Sequence, residues 1–275
     1  MPAAARTVLL TGAGGGVGTL MRDHLPPYGY RLRLLDVVPI EDAREGTETV
    51  IADLADAAAL RQAVRGVDAI VHLAGISLEA PFADILRVNI EGTYNLYEAA
   101  RQEGVGRIVF ASSNHAVGYA RRPVRDGDPL VPADTPHRPD TFYGLSKCFG
   151  EDLAQLYFDR HGIETVSVRI GSCFAEPRNV RMLSTWLSPA DCARLLHAAL
   201  TAEEVDHTVV YGSSANTRLW WDLATARALG YEPQDDAEPF AARLIAEEGE
   251  LDPDRYPEDA VIGGLFTTGA PLWPR

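Results

Sequence analysis

The sequence predicts an α/β protein: a doubly wound parallel sheet followed by a small C-terminal lobe that holds substrate. Three observations predict it. Short apolar strand patterns alternate with helix patterns through the first 170 residues, the alternation that builds a parallel sheet with helices on both faces. The first strand runs straight into a glycine cluster and then a helix. After Gly171 the alternation loosens, so residues 1–170 read as a nucleotide-binding domain and 171–275 as a substrate lobe and tail, contiguous with it in one structural domain.

The elements follow in order. Residues 7–10 (TVLL) form a strand, and 17–25 a helix ended by Pro26 and Pro27. Strands follow at 31–36 and 48–52, a helix at 57–64, an apolar strand at 68–73, a long helix at 82–103 and a strand at 107–112. A helix at 141–161 and a strand at 164–170 complete the alternating part. Beyond it, 189–200 reads as a helix, 207–211 as a strand, and 219–229 and 237–247 as helices, while the proline-rich end 251–275 is expected to wrap the surface. The lobe is expected over the carboxyl edge of the sheet, where open α/β sheets bind ligands.

Composition narrows the function. Hydrophobic residues at 46% and charged residues at 23% are ordinary values for a globular protein with a core of its own. A net charge of -14 argues against nucleic acid and anionic membrane as partners. An anionic substrate would need local arginines to overcome that field. No apolar run reaches the length of a membrane span, and the opening MPAAAR does not read as a signal peptide. Cys148, Cys173 and Cys192 form no CxxC pair and are expected as reduced thiols in the cytoplasm. The seven histidines show no ligand spacing, so no metal is expected.

The glycines Gly12, Gly15 and Gly18 have G-x-x-G-x-x-G spacing, with Val17 between the last two. Glycine permits the tight turn, the close approach of backbone to a pyrophosphate and the packing of helix on strand, and the helix N-terminus offers free N–H groups to phosphate. This predicts a Rossmann-type dinucleotide site. Asp36 ends the second strand about 20 residues on, where a carboxylate accepts from the adenosine ribose and repels a 2'-phosphate; NAD is therefore expected over NADP. Asp53 and Leu54 follow the third strand, where adenine would lie. Leu73, Ala74 and Gly75 end the fourth, where a small backbone lets the cofactor pass.

At the reactive end, Tyr143 and Lys147 are four residues apart on one helix face. Lys147 is the only lysine in a chain whose other basic side chains of this kind are all arginine, which marks a position needing an ammonium. A nearby ammonium and a cationic nicotinamide are expected to lower the tyrosine pKa, so that Tyr143 takes a proton from a substrate hydroxyl as hydride leaves the adjacent carbon. Ser113, with Ser112 as its rival, ends the fifth strand at the same edge and could hold the substrate oxygen. Asn114 and His115 follow, as loop-capping or substrate-contacting residues.

These residues together resemble the extended short-chain dehydrogenase/reductase family, in its order and over almost the whole chain. The resemblance implies a catalytic set of Ser113, Tyr143 and Lys147, and places Asn89, in VNIEGT (88–93), on the long helix that supports the active site. A narrower resemblance, to bacterial uronate dehydrogenases, is carried by VHLAGIS (71–77), ASSNH (111–115), YGLSKCFGE (143–151), RIGSC (169–173) and RMLSTW (181–186). It implies oxidation of D-glucuronate and D-galacturonate at C1 with NAD to the aldarolactone, with Arg181 clamping the C6 carboxylate. Arg178 and Arg169 are rivals for the clamp. It also implies that Ser77 and Ser172 hold sugar oxygens. Family members commonly self-associate, so a homo-oligomer is expected, with the helices at 82–103 and 141–161 as the contact.

Two other function classes share parts of this pattern. A nucleotide-sugar epimerase would use the same Ser, Tyr and Lys with retained NAD, but usually needs a larger C-terminal lobe than the 105 or so residues after Ile170. A non-catalytic dinucleotide sensor would generally lack the Tyr and Lys. The segment 120–139 and the C-terminal tail carry no motif.

Overall fold

The computed structural model describes residues 6–44, 47–125 and 127–269; the ends 1–5 and 270–275, the latter part of the expected tail, lie outside it. Thr7–Thr11 forms β1, and Val8, Leu9 and Leu10 are buried, the continuous apolar run that a central parallel strand requires. There follow α1 (Gly16–His24), β2 (Arg31–Asp36), β3 (Glu48–Ile51), α2 (Ala57–Val64) and β4 (Ala69–His72). The predicted long helix is continuous but not uniform. It comprises α3 (Phe82–Ile85), a π-helical stretch at Leu86–Glu91, and α4 (Gly92–Glu103). A widened turn of this kind often marks a functional position, and here it carries buried Asn89.

The strand β5 (Arg107–Ser113) leads by way of residues 114–141 to α5 (Phe142–His161). Thr141 caps α5 by accepting from the Gly144 N–H at 2.9 Å, and left-handed Gly162 ends it, the usual pair of signals. β6 (Glu164–Ile170) comes next.

Beyond residue 170 the chain adds C-terminal elements and also returns a strand to the main sheet. β7 (Ser172–Cys173) pairs with β8 (Trp186–Leu187) in a small parallel sheet, with α6 (Met182–Thr185) between them. α7 (Pro189–Thr201) and β9 (His207–Gly212) return to the main sheet. Its order is β3-β2-β1-β4-β5-β6-β9, with every neighbouring pair parallel. The chain reverses direction of travel between β1 and β4, so the crevice outside their carboxyl ends is the place for a ligand.

The period-2 alternation of strands feeds two cores. Val8, Leu10, Val71 and Val109 pack under Met21 of α1 and Leu195 and Leu196 of α7. Leu9, Leu35, Ile70 and Ile108 pack under Leu60 of α2, Leu96 and Tyr97 of α4, and Leu153 and Tyr157 of α5.

The predicted helix at 219–229 is a departure. Only α8 (Ala224–Ala228) is helical. Trp221 instead bridges to Val131, and its ring stacks on Tyr211 at 5.0 Å. Two tryptophans bury more surface wedged against the sheet than a surface helix would allow them, so tertiary packing overrides the local pattern. The helix expected at 237–247 begins as a 3₁₀ turn and continues as α9 (Ala241–Glu248). Val180, Leu183, Trp186, Ala241 and Leu244 form a third, small core there.

Glu151 on α5 is buried and anchors the layers. It accepts from Arg169 Nε and Nη2 at 2.9 and 2.8 Å, from Ser112 Oγ at 2.5 Å, and pairs with His137 Nε2 at 2.8 Å. Burial by itself pushes this carboxyl up, but His137, Arg169 and Ser112 outweigh it and hold it at about 2. The folded value lies below the ordinary one, so this stabilisation is present above about pH 4.5 and is lost as pH falls toward 2. Glu151→Gln leaves Arg169 without its counter-charge and is expected to cost about 3–5 kcal/mol at pH 7. Urea unfolding should show that gap, and the gap should narrow as the pH falls below 4.5.

Candidate active site

A cavity of about 550 Å³ runs along the carboxyl edge of the sheet, from the glycine loop to the C-terminal segment. At one end, Gly12 has φ +68°, and a Cβ there would lie 2.7 Å from Ala74 N; a Cβ on Gly18 would lie 2.1 Å from Gly12 O. Only glycine fits either position, and the result is a bare backbone cradle at the start of α1 with Gly12, Gly15, Val17 and Gly18 in the cavity wall. That cradle fits a dinucleotide pyrophosphate.

The other residues expected at this end are placed as follows. Asp36 sits at the tip of β2 and accepts from Gly14 N at 2.8 Å and Val37 N at 2.8 Å, which fixes its carboxylate beside the loop. Leu73 and Gly75 line the cavity, while Ala74 packs behind Gly12. Asn89 is buried and clasps Ile76, accepting from its N–H at 2.8 Å and donating to its carbonyl at 2.9 Å; it also donates to Ser146 Oγ on α5 at 3.0 Å. Asp53 and Leu54 lie outside the cavity wall. Asp53 pairs with Arg87 at 2.9 Å, and Leu54 packs beneath Gly92.

In the middle of the cavity stand Tyr143, Lys147 and Ser113. Successive turns of α5 present Tyr143 and Lys147 to one side, with Glu151 one turn further on. Lys147 Nζ donates to Ala111 O at 2.7 Å and lies 5.5 Å from the Tyr143 ring. Burial lowers the lysine to about 8, against the pull of the Glu151 charge. Ser113 lines the cavity beside Tyr143; its hydroxyl donates to Asn114 Oδ1 at 3.4 Å and accepts from His115 N at 3.2 Å. Ser112, its rival in the sequence, is turned the other way, with its hydroxyl held by Glu151 at 2.5 Å. The two are adjacent on a strand and must point to opposite faces.

In the chain alone the Tyr143 pKa lies above its ordinary value: burial raises it, the Ser113 hydroxyl lowers it, and the Asp140 carboxylate raises it. Desolvation of a phenolate, reinforced by the Asp140 charge, outweighs the opposing effect of Ser113. The lowering expected from Lys147 together with a cationic nicotinamide belongs to the loaded site. The ammonium of Lys147 points at Ala111 O and leaves the phenol protonated in the chain by itself.

At the far end the wall contains Ser77, Asn114, His115, Ser172 and Arg181. Asn114 donates to Ile262 O at 3.2 Å, and Ser172 shares a 3.2 Å hydrogen bond with Thr185. Arg181 donates through Nη2 to Ile262 O at 2.5 Å, while its Nη1 is buried with no partner among the described residues. Burial lowers the guanidinium to about 10. The rivals are elsewhere. Arg169 is committed to Glu151, and Arg178 lies over the Phe174 ring at 3.8 Å, outside the cavity wall.

Several neighbours carry no motif. The Asp140 side chain is fully buried and holds His115 Nδ1 at 2.6 Å. Phe266 lies against the His115 ring at 4.1 Å, and with Gly263 and Leu265 it makes the C-terminal segment a wall of the cavity rather than only a surface wrap. Glu79 accepts from Tyr143 N at 3.1 Å. The one signal for Asp140 is its position two residues before Phe142 at the mouth of a helix; Phe266 has none. Among the described residues no group of three or more His, Cys, Asp or Glu could hold a metal ion, and the three cysteines are free and buried. No helix there is long and apolar enough to cross a membrane.

Known proteins resemble this chain along nearly all of its length. The profile of the NAD dependent epimerase/dehydratase family matches residues 8–222. A uronate dehydrogenase of Pseudomonas syringae pv. tomato is 49% identical over 266 residues, 96% of this chain and 94% of that one. The crystal structure of uronate dehydrogenase from Agrobacterium tumefaciens is 46% identical with a TM-score of 0.90, covering 99% of this chain and 100% of that one. A mutant of the Agrobacterium enzyme complexed with NAD matches at 46% identity and a TM-score of 0.90, covering 98% and 99%.

Proposed function

Because the chain belongs to the uronate dehydrogenases of the NAD dependent epimerase/dehydratase family, we propose that it oxidises D-glucuronate and D-galacturonate at C1 to the aldarolactone. It is an NAD-dependent oxidoreductase of uronic acids. One observation supports the reading most. Arg181 lines the same cavity as Ser113 and Tyr143, and its guanidinium has no carboxylate partner among the described residues, with Nη1 buried and unpartnered. A desolvated guanidinium needs an anion, and a carboxylate suits its fork.

The roles follow from placement. Gly12, Gly15, Val17 and Gly18 cradle the pyrophosphate, Leu73 and Gly75 pass the dinucleotide along the sheet edge, and Asp36 stands beside the loop for the adenosine ribose. NAD, when bound, supplies the hydride acceptor and a cationic ring that favours the phenolate. Tyr143 takes the C1 hydroxyl proton, and Ser113 holds the same oxygen. Lys147 supplies the one ammonium near the phenol, and Asn89 holds the Ile76 loop and α5 in register. Ser77, Asn114, His115 and Ser172 hold sugar oxygens, and Arg181 holds the carboxylate. The test is NADH formation from free uronates against UDP-sugars. Accumulation with free uronate alone supports the reading; turnover of UDP-sugar without net NADH would replace it with an isomerase.

We also propose a homo-oligomer in the cytoplasm. Phe82, Leu86 and Tyr94 on the α3–α4 helix and Leu145 and Leu156 on α5 are exposed apolar side chains, the kind of surface that partners cover. Sedimentation velocity should give at least a dimer, and Leu86→Glu with Tyr94→Glu should reduce it to a monomer. A monomeric wild type would exclude the contact. Fractionation of the native host tests the compartment.

A further inference from the structure

We infer that Arg122 is a positioning and specificity residue for the substrate carboxylate, acting behind Arg181 through the shared indole of Trp220. The inference rests on the uronate reading above. Eight arginines are at least partly shielded from solvent among the described residues. Six of them pair with a carboxylate: Arg22 with Asp42, Arg33 with Glu48, Arg107 with Glu164, Arg169 with Glu151, Arg194 with Asp191 and Arg218 with Glu238. The two without an ion pair are Arg122 and Arg181.

These two are neighbours. Arg122 Cζ lies 4.8 Å from the centroid of a Trp220 ring and Arg181 Cζ lies 4.9 Å from it. Trp220 is itself buried. Both guanidiniums bond only to backbone: Arg122 through Nε to Asp259 O and through Nη1 to Pro123 O at 2.8 Å, Arg181 through Nη2 to Ile262 O. The nearest carboxylates, Asp259 and Asp140, act on Arg181 only through space, and Arg122 repels it. Burial lowers Arg122 as well.

In an acidic chain of 39 Asp and Glu, two adjacent desolvated cations without a counter-ion make a local positive field. An indole face is attracted to both and holds them in place. The anion that completes the arrangement is the one Arg181 reaches in the cavity. Arg122 does not line that cavity. It contributes charge and backs the ring on which Arg181 rests, and it pins the segment carrying Asp259 to the rim.

The test compares D-galacturonate with D-galacturonamide, which keeps the shape and removes the charge. With the wild-type enzyme and saturating NAD, the KM for galacturonate should be the lower of the two. Arg122→Gln keeps a donor for the Asp259 carbonyl and removes the cation. It should raise the KM for galacturonate roughly tenfold, as expected for one charge acting over several ångströms in a partly screened site, and leave kcat and the KM for galacturonamide within about twofold. Arg122→Lys should bring the KM for galacturonate back to within about threefold of wild type. If Arg122→Gln shifts both substrates equally or neither, or if lysine rescues nothing, the inference is wrong. If the wild type itself does not prefer the uronate, the carboxylate-clamp reading fails instead.

Discussion

Replacing Tyr143 with phenylalanine is expected to lower kcat about a thousandfold, within the range for loss of a general base, and to leave the dissociation constant for NAD within about twofold. The phenyl ring keeps the packing of a buried side chain that meets His115 edge-on at 5.8 Å, so the fold is preserved. What is lost is the hydroxyl that lines the cavity beside Ser113. Because burial holds that hydroxyl above its ordinary pKa, the wild-type rate should climb with pH as the phenolate becomes accessible. The variant should lose that rise. Stopped-flow turnover and fluorescence titration with NADH measure the two quantities separately. A variant turning over at the wild-type rate would remove Tyr143 from proton transfer.

The second large effect is at the carboxylate end. Arg181→Ala should raise the KM for galacturonate about a hundredfold, since truncating one partner of a buried charge pair costs 2–5 kcal/mol or more. NADH affinity should stay nearly constant, because Arg181 lies at the opposite end of the cavity from the glycine cradle. A second readout separates a binding role from a structural one. Burial lowers the Arg181 guanidinium to about 10, so its charge is disfavoured in the fold. Arg181→Met, which keeps bulk beside Trp220, should therefore unfold at or above the wild-type Tm while binding uronate poorly. A residue that serves ligand binding at the expense of stability behaves this way. An unchanged KM in Arg181→Ala would exclude the clamp.

The sheet was legible because its signals are local. An apolar run such as Val8, Leu9 and Leu10 reads as a buried parallel strand wherever it stands, and Gly12 and Gly18 occupy positions where any Cβ would collide with backbone. Tyr143 and Lys147 were legible because helical spacing alone puts them on one side. The choice between Ser112 and Ser113 was not, since both end the same strand and only the pairing of Ser112 with Glu151 decides it. The same holds for Arg169, which competes for the clamp in sequence and is spent on Glu151 in space. The stretch at 219–223 reads as helix until Trp221 meets Tyr211 and Val131. Asp140, Phe266 and Arg122 reach the site through loops, where sequence spacing carries no geometry. The net direction of the Tyr143 pKa in the chain alone was not legible either, because desolvation depends on burial that no motif encodes.

The central claim is that this cavity oxidises the C1 carbon of a uronate whose carboxylate it grips. D-galacturonate carrying deuterium at C1 tests it most directly. Turnover with NAD followed by mass spectrometry of the reduced cofactor and NMR of the product should give singly deuterated NADH and a lactone lacking the label. Unlabelled NADH, or a product with C1 still carrying its deuterium, would contradict the account.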